Sequence, residues 1–147
     1  MLIRINRNFI NVFFALGILI SCDRGDKKEI VQEMQIERSE NITLENVELE
    51  ELISAPKKWE GLYVEVEGYY KAGFEECALY VSQSNYGIER KAFWLNFEKA
   101  LSNKMPTDSG YNGKKVKVRG QVSLGKGHLM QYAGTIEGIY YIALFKD

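Results

Sequence analysis

The chain has one histidine, His128, and two cysteines, Cys22 and Cys77, among its 147 residues. So few cysteines cannot form a framework of several disulfides, so the fold has to rest on a hydrophobic core. With one histidine, zinc or nucleophilic chemistry would need partners brought close by the fold, and the conceivable ones are Cys77, Glu75 and Glu76. No sequence spacing supports that cluster, and a lone histidine in a loop more often hydrogen-bonds to the backbone.

Other arrangements that carry catalysis are missing as well. Glu75 and Glu76 are adjacent, so in an extended segment their carboxylates point in opposite directions and make a poor acid–base pair across one substrate. Residues 125–127 (GKG) are a predicted β-turn, and nothing matches a phosphate-binding glycine loop. We therefore expect no enzymatic activity, no cofactor and no metal, and keep a metal-binding protein or enzyme that uses His128 as an alternative.

A run of apolar residues long enough to cross a membrane is also absent. The mostly apolar run from Phe9 to Ile20 is shorter than the roughly 20 residues that a spanning helix needs. Arg4 and Arg7 precede the run and no acidic residue does, which is the layout of a secretory signal. We therefore expect residues 1–21 to be cleaved, with a retained short signal anchor as the alternative.

The end of this segment, Leu19-Ile20-Ser21-Cys22, resembles the lipobox of bacterial lipoproteins: an aliphatic residue, a tolerant position, a small residue and then always a cysteine. The resemblance implies that Cys22 becomes the first residue and carries lipid such as palmitate. Several acyl chains hold a protein firmly on a bilayer, because each buried methylene contributes about 0.8 kcal/mol. We expect a lipid-anchored protein of the bacterial cell envelope, facing the periplasm or the cell surface.

The stretch from Asp23 to Glu40 is poor in apolar residues and has no aromatic ones. Its mixed charges without a consistent period predict a solvated tether, transiently helical around Ile30 to Met34. Residues 22–40 are therefore interpreted as the lipidated cysteine and a flexible tether, and residues 41–147 as one domain of ordinary size. Cleavage of the signal removes two arginines and changes the net charge from −1 to −3.

Two segments of the domain repeat the pattern G-x-x-V-x-V-x-G: GLYVEVEG at 61–68 and GKKVKVRG at 113–120. Strict alternation predicts two strands with the valines on one face and the residues between them pointing to solvent. The outward residues are Glu65 and Glu67 on the first strand and Lys115, Lys117 and Arg119 on the second. If the strands are neighbours, opposite charges face each other and each pair adds roughly 0.2 to 1 kcal/mol. Gly68 and Gly120 predict a bulge or a bend inside each strand.

Three further strands are predicted: CALYVS at 77–82, KAFWLNF at 91–97 and GTIEGIYYIALF at 134–145. Residues 49–53 have helical spacing before Pro56, and EKALSNK at 98–104 predicts one or two helical turns. Five strands with a helix-bearing connection after the third is the order of an OB-fold, a five-stranded Greek-key barrel. The predicted fold class is therefore all-β with short helices, with an SH3-like barrel or a sandwich as the alternative.

Several stretches of the chain are similar to uncharacterised bacterial lipoproteins and secreted proteins with an OB-like domain. They are LISAPKKWEGLYVEVEGYY, FEECALYVS, AFWLNF, NGKKVKVRGQV and GHLMQYAGTI, which lie between Leu52 and Ile136. The chain departs from the family pattern at Met130, where the family has a glycine two residues after the histidine. The resemblance implies an OB-like fold and an envelope location, and it implies no catalytic activity.

The candidate binding residues are Tyr80, Trp94 and His128. Many OB-folds bind ligands through their second and third strands and the adjoining loops. On the alternation of those strands Cys77 is a buried small hydrophobe on the core side, and Tyr80 and Trp94 fall on the opposite face. There they form either an exposed aromatic platform or a patch covered by the N-terminal helix or the Phe74 loop. Nucleic acid is not expected, because the net charge is acidic and the basic strand is offset by carboxylates.

We therefore expect a non-enzymatic, membrane-tethered binding module. Its expected partners are the lipid bilayer, through acylated Cys22, and an unknown protein or envelope component. The second partner would bind through the second and third strands and the His128 loop. An immunity-type inhibitor of a periplasmic toxin is a second class of function, and the metal-dependent class that uses His128 is a third.

Overall fold

The computed structural model describes residues 28–38, 41–105, 110–124 and 131–146. Within these ranges the chain is mostly β, so the predicted all-β class is confirmed. The strands are β1 (Ile30–Gln35), β2 (Leu44–Asn46), β3 (Tyr63–Gly73), β4 (Glu76–Tyr80), β5 (Ala92–Phe97), β6 (Lys115–Ser123) and β7 (Gly134–Phe145). The helices are α1 (Leu49–Ser54), α2 (Pro56–Trp59) and α3 (Lys99–Ser102), with 3-10 turns at Gln83–Asn85 and Glu89–Lys91. In the described ranges no helix has both the length and the apolar character needed to cross a membrane.

All seven strands belong to one sheet. β3 pairs antiparallel with β4, β4 antiparallel with β5, β5 parallel with β7, β7 antiparallel with β6, and β6 antiparallel with β3. The pairing of these five strands therefore returns to the strand where it began, and they are the five strands that the alternation predicted. Two strands add to this set, since β1 pairs antiparallel with β7 and β2 pairs parallel with β3.

The main core lies on one face of these strands, because apolar residues recur there at every second position. The four valines of the repeated pattern are at most 1% exposed: Val64, Val66, Val116 and Val118. The other strands and α1 add the largest apolar members of this core: Leu49, Leu52, Leu79, Phe93, Leu95, Ile136, Ile139 and Ile142. Burial of this apolar surface is the main stabilising term of the fold.

Of the described helices, α1 and α3 lie where the sequence predicted helical turns, and α2 was not predicted. Helix α1 ends at Ser54, before Pro56, and Pro56 begins α2. A proline is tolerated at that first position because its missing N–H would have had no partner inside the helix. The turns predicted in EKALSNK appear as α3, which is held against the main core by the fully buried Leu101.

The oppositely charged residues of the repeated pattern face each other across β3 and β6, as predicted. Glu65 is opposite Arg119, and Glu67 is opposite Lys117. Arg119 Nε donates to Glu65 Oε2 at 2.7 Å, and Lys117 Nζ lies 2.8 Å from Glu65 Oε1. Lys28, two residues before β1, donates to Glu67 Oε2 at 2.7 Å. We call this set the charge ladder: Lys28, Glu65, Glu67, Lys115, Lys117 and Arg119.

Both carboxylates of the charge ladder have pKa values below the ordinary 4.5. Burial by itself would raise the pKa of Glu65, but the hydrogen bonds from Lys117 and Arg119 outweigh it. Burial acts in the same direction on the pKa of Glu67, where the hydrogen bond and the charge of Lys28 outweigh it. The ladder therefore favours the charged form of both carboxylates.

Gly68 and Gly120 lie inside β3 and β6 at points of close approach. A Cβ on Gly68 would lie 2.6 Å from Leu79 Cγ and 2.9 Å from the Tyr80 carbonyl oxygen. A Cβ on Gly120 would lie 2.7 Å from Ile136 Cγ2, and the register of β6 against β7 shifts at this glycine. The irregularity predicted at Gly120 is therefore confirmed, and both positions exclude a side chain because the neighbouring elements pack against the backbone.

The segment predicted as a flexible tether contains a strand. Ile30–Gln35 forms β1 and pairs antiparallel with β7. The hydroxyl of Tyr141 in β7 donates to Glu33 Oε2 at 3.1 Å. The predictions of a flexible tether over residues 22–40 and of a transient helix from Ile30 to Met34 are therefore wrong for the residues of β1. Pairing with a strand distant in the chain supplies backbone hydrogen bonds that no local pattern reveals.

Candidate binding site

Tyr80 and Trp94 lie on the neighbouring strands β4 and β5, on the face opposite the main core. In the antiparallel register Tyr80 is opposite Ala92 and Trp94 is opposite Ala78. Tyr80 is 0% exposed, and Trp94 is partly buried. The exposed aromatic platform is therefore wrong, because the Tyr80 ring has no surface that a partner can reach in the folded domain.

Two tyrosines from loops cover this face. The Tyr86 ring packs edge-on against Tyr80 with centroids 5.2 Å apart, and the Tyr132 ring lies 5.3 Å from that of Trp94. The prediction of a covered patch is therefore confirmed, but the predicted covering elements are wrong, since α1 packs into the main core and Phe74 is 94% exposed. We call this set the tyrosine face: Ala78, Tyr80, Tyr86, Ala92, Trp94 and Tyr132.

Phe74 is the most exposed large apolar side chain among the described residues. It lies at the tip of the hairpin that joins β3 and β4, where Gly73 is opposite Glu76. The other tip residue, Glu75, has a φ of 56°, a left-handed conformation that costs a non-glycine residue roughly 1–2 kcal/mol. The Phe74 ring is presented to solvent on a tight turn and contributes nothing to the core, so it is accessible to another molecule.

A cleft of about 310 Å³ lies beside this hairpin tip. Its lining is Phe74, Glu75, Glu76, Gly87, Glu89, Gln131 and Tyr132. Three carboxylates and two aromatic rings thus meet at one opening, which we call the Phe74 cleft. A second cleft of about 640 Å³ shares three of these residues and extends to Ile53 and Pro56. Arg90 also lines the second cleft, whereas the lining of the Phe74 cleft contains no cation.

The Phe74 cleft is electrostatically negative. Glu75, Glu76 and Glu89 form no ion pair with another described residue. The Tyr80 hydroxyl donates to Glu76 Oε1 at 2.9 Å, which ties one wall of the cleft to the tyrosine face. Burial, and then the charges of Glu76 and Glu89, raise the pKa of Tyr132, although a hydrogen bond between its hydroxyl and that of Tyr80 acts the other way. Carboxylates beside aromatic rings suit a positively charged group.

No protein-family model, curated protein or solved structure matches this chain. The resemblance to bacterial lipoproteins with an OB-like domain therefore stays a prediction. Two of the predicted site residues, Cys22 and His128, lie outside the described residues, as does Met130. The candidate site consequently rests on the chemistry of the Phe74 cleft, because the tyrosine face beside it is covered.

Cys77 lies on the core side of β4, where the alternation predicted it, and packs against the main core. Its thiol is 3.8 Å from the Tyr70 hydroxyl. Burial raises the pKa of this thiol to about 11, although the hydrogen bond with Tyr70 acts the other way. A thiol of that pKa is a poor nucleophile at neutral pH. Among the described residues no three His, Cys, Asp or Glu side chains are arranged to hold a metal ion.

The alternation of β4 and β5 did not reveal the Phe74 cleft, because three separate segments build it: the hairpin, the 3-10 region and the residues before β7. The sequence did contain one signal that the neighbouring tyrosine face is covered. Ala78 and Ala92 are small residues opposite Trp94 and Tyr80, and they leave room for further rings. Small residues beside aromatic ones on a face away from the core indicate a covered patch rather than an open platform.

Proposed function

We propose that this protein is a non-enzymatic binding module of the bacterial cell envelope, held at a membrane by acylated Cys22. Its domain is an OB-like barrel that binds a protein or another envelope component. The Phe74 cleft is the surface that takes this partner. The partner inserts a basic side chain, because the cleft offers carboxylates and aromatic rings together.

The OB-like fold is supported by the order in which the strands pair. Five strands pair in the sequence β3, β4, β5, β7, β6 and back to β3, and only the β5–β7 pair is parallel. Helix α3 follows the third of these strands. OB-folds bind ligands through their second and third strands and the loops after the first and the fourth strand. Those loops correspond here to the Phe74 hairpin and to the connection that ends at Gln131 and Tyr132, which line the Phe74 cleft.

The observation that carries the binding role is the composition of the Phe74 cleft. A 94% exposed aromatic ring stands beside three carboxylates that have no cation partner among the described residues. An aromatic face attracts a cation within about 6 Å of its centroid, and a carboxylate forms charge-assisted hydrogen bonds with Lys or Arg. A single exposed apolar side chain is common on protein surfaces, so it is the combination of this ring with three carboxylates at one opening that supports contact with a partner.

Photo-crosslinking in cells tests the cleft. A photoreactive residue in place of Phe74, in the lipidated protein, should crosslink to a partner, and Glu75→Gln with Glu89→Gln should abolish the product. Leu62 is the control position, because it is 43% exposed and immediately precedes β3, at the end of that strand opposite Phe74. Equal crosslinking at the two positions, or none at Phe74, contradicts the cleft as the binding surface.

Growth in radiolabelled palmitate tests the anchor independently of the cleft. The chain should carry label and fractionate with membranes. The Cys22→Ser variant should lose the label and appear in the soluble fraction, because one residue supplies the attachment point. A Cys22→Ser protein that keeps its label would show that the lipid is attached elsewhere.

A further inference from the structure

Cations outnumber carboxylates in the charge ladder. Its members are the cations Lys28, Lys115, Lys117 and Arg119 and the carboxylates Glu65 and Glu67. Three ammonium groups converge on one carboxylate, since Lys28, Lys115 and Lys117 lie 2.7, 3.5 and 3.7 Å from Glu67 oxygens. We call these three residues the lysine cluster.

The charge of the lysine cluster is not balanced by Glu67. Lys28 and Lys115 approach the same oxygen of that carboxylate, so their ammonium groups lie close together. The neighbouring Lys28 lowers the pKa of Lys115, and burial adds to the effect. The pKa of Lys28 is raised instead, with its hydrogen bond to Glu67 as the main cause, so the repulsion between the two ammonium groups follows from the oxygen that they share, and a bound anion would relieve it. The side chains of Lys28 and Lys115 are 47% and 36% exposed, so an anion can reach them.

The lysine cluster lies where the chain enters the sheet. Lys28 stands two residues before β1, and only residues 23–27 separate it from Cys22. Even a fully extended chain spans at most about 20 Å between those two residues. The five intervening residues, DRGDK, have no net charge, and the neighbouring Lys146–Glu29 ion pair adds none. The charge of Glu48 also acts on Lys28, but the four cations of the charge ladder still outnumber the three carboxylates around them, so the ladder holds a net positive charge close to the attachment point.

We infer that the lysine cluster binds acidic phospholipid headgroups of the membrane that carries the anchor. The inference rests on the attachment at Cys22 proposed above. A basic group is attracted to an anionic bilayer within about one Debye length, which is about 10 Å at 0.1 M salt. Nucleic acid offers the same phosphate chemistry, but the short connection to Cys22 places bilayer phosphates within reach. The contact orients the domain on the bilayer and leaves the Phe74 cleft, at the hairpin tip seven residues beyond Glu67, free for its partner.

Lysine acylation on vesicles tests this orientation. The lipidated protein is reconstituted into pure phosphatidylcholine vesicles and into vesicles with about one phosphatidylglycerol in three lipids. Mass spectrometry follows the acylation rate of each lysine. The rates at Lys28 and Lys115 should fall roughly threefold on the acidic vesicles, and about 1 M salt should restore them because the Debye length is then only about 3 Å. Lys57 in α2 and Lys99 in α3 are exposed controls, whose rates should be equal on both vesicles.

Two matched variants separate the headgroup contact from general charge. Lys115→Gln should reduce the protection of Lys28 on acidic vesicles, whereas Lys57→Gln removes the same charge and should leave it unchanged. Equal rates at Lys28 on both vesicle types overturn the inference, and so does protection by an oligonucleotide without protection by acidic vesicles. Flotation with phosphatidylcholine vesicles reports the anchor alone. Protein that floats without protection overturns only the headgroup contact, and protein that does not float overturns both.

Discussion

The charge ladder and the tyrosine face lie on strands of the same sheet, on the side away from the main core. They differ in which elements supply the residues that pair with or cover these strands. The ladder is completed mainly by two neighbouring strands, with Glu65 directly opposite Arg119 in the register of β3 and β6. The tyrosine face is completed by Tyr86 and Tyr132, which come from two loops. The ladder stays partly solvated, whereas Tyr80 is 0% exposed.

This difference determines which region holds the fold together. Partly solvated ion pairs contribute little each, because water and salt compete for the same charges. A buried aromatic ring removes a large apolar area from water and also makes specific ring contacts. We therefore expect substitutions in the tyrosine face to destabilise the domain more than substitutions in the ladder, although the ladder has the more regular sequence pattern.

Tyr80→Ala should cause the largest loss, about 3–5 kcal/mol in the free energy of unfolding, because it leaves a cavity beside Tyr86. Tyr80→Phe should cost about 1 kcal/mol, since the ring stays and only the hydrogen bonds of its hydroxyl are lost, the one to Glu76 among them. Phe74→Ala is the exposed control and should stay within about 0.5 kcal/mol. Urea denaturation measures all three. If Tyr80→Ala left the free energy of unfolding almost unchanged, the ring would not be a core residue. The expected difference in stability between the two regions would then be wrong.

Gly68→Ala tests the junction where the ladder strand β3 meets the tyrosine strand β4. The added Cβ would lie 2.6 Å from Leu79 Cγ and 2.9 Å from the Tyr80 carbonyl oxygen, so β3 and β4 would have to separate. We expect a cost of about 1–3 kcal/mol. Gly73→Ala is the matched control on the same strand, because its nearest neighbour would be 3.9 Å away. Equal melting temperatures for the two variants would show that the strands accommodate the methyl group.

The sequence predicted the β3 and β6 members of the ladder well because these two strands carry the same local pattern, whereas Lys28, which precedes β1, was not predicted. The alternation placed Tyr80 and Trp94 on the correct face, yet it left open whether that face was exposed. The covering rings of Tyr86 and Tyr132 come from segments without periodicity, and long-range packing brings them there. The same limit explains β1, whose residues have few apolar neighbours in sequence and whose partner β7 begins about 100 residues later.

The candidate site was predicted less well than the fold. The Phe74 cleft combines a hairpin tip, a 3-10 region and the start of the segment before β7, and none of these has a signature on its own. The exposed ring of Phe74 follows from the tight turn between Gly73 and Glu76, which the sequence suggested only as a loop. Sequence patterns thus identify five of the strands. The surface formed where the connections between strands meet depends on which strands pair, and no local pattern shows that.

Glu65→Gln tests the electrostatic part of the ladder and should cost about 1 kcal/mol at neutral pH. The pKa of Glu65 lies below its ordinary 4.5 in the folded domain, so folding stabilises the ionised form of this carboxylate. Its stabilisation is complete above that ordinary value and disappears as the pH falls through the folded pKa. The melting temperature of the wild type should therefore fall more steeply than that of Glu65→Gln between about pH 5 and pH 3. The control, Glu60→Gln, removes an exposed carboxylate without an ion pair among the described residues and should keep the wild-type slope.

The smallest effect is expected for an ion pair that is about as short as those of the ladder but mostly exposed to solvent. Lys146 Nζ and Glu29 Oε2 are 2.7 Å apart with side chains 63% and 67% exposed, whereas Lys117 and Glu65 are 2.8 Å apart with side chains 21% and 12% exposed. Double-mutant cycles to alanine should give a coupling energy of about 0.2 kcal/mol for the first pair and about 1 kcal/mol for the second. Salt at about 1 M should remove most of the first and less of the second, since buried charges are screened less. Equal coupling energies would show that distance rather than solvation determines the strength of these pairs. The position of the ladder on the sheet would then add nothing to the strength of its ion pairs.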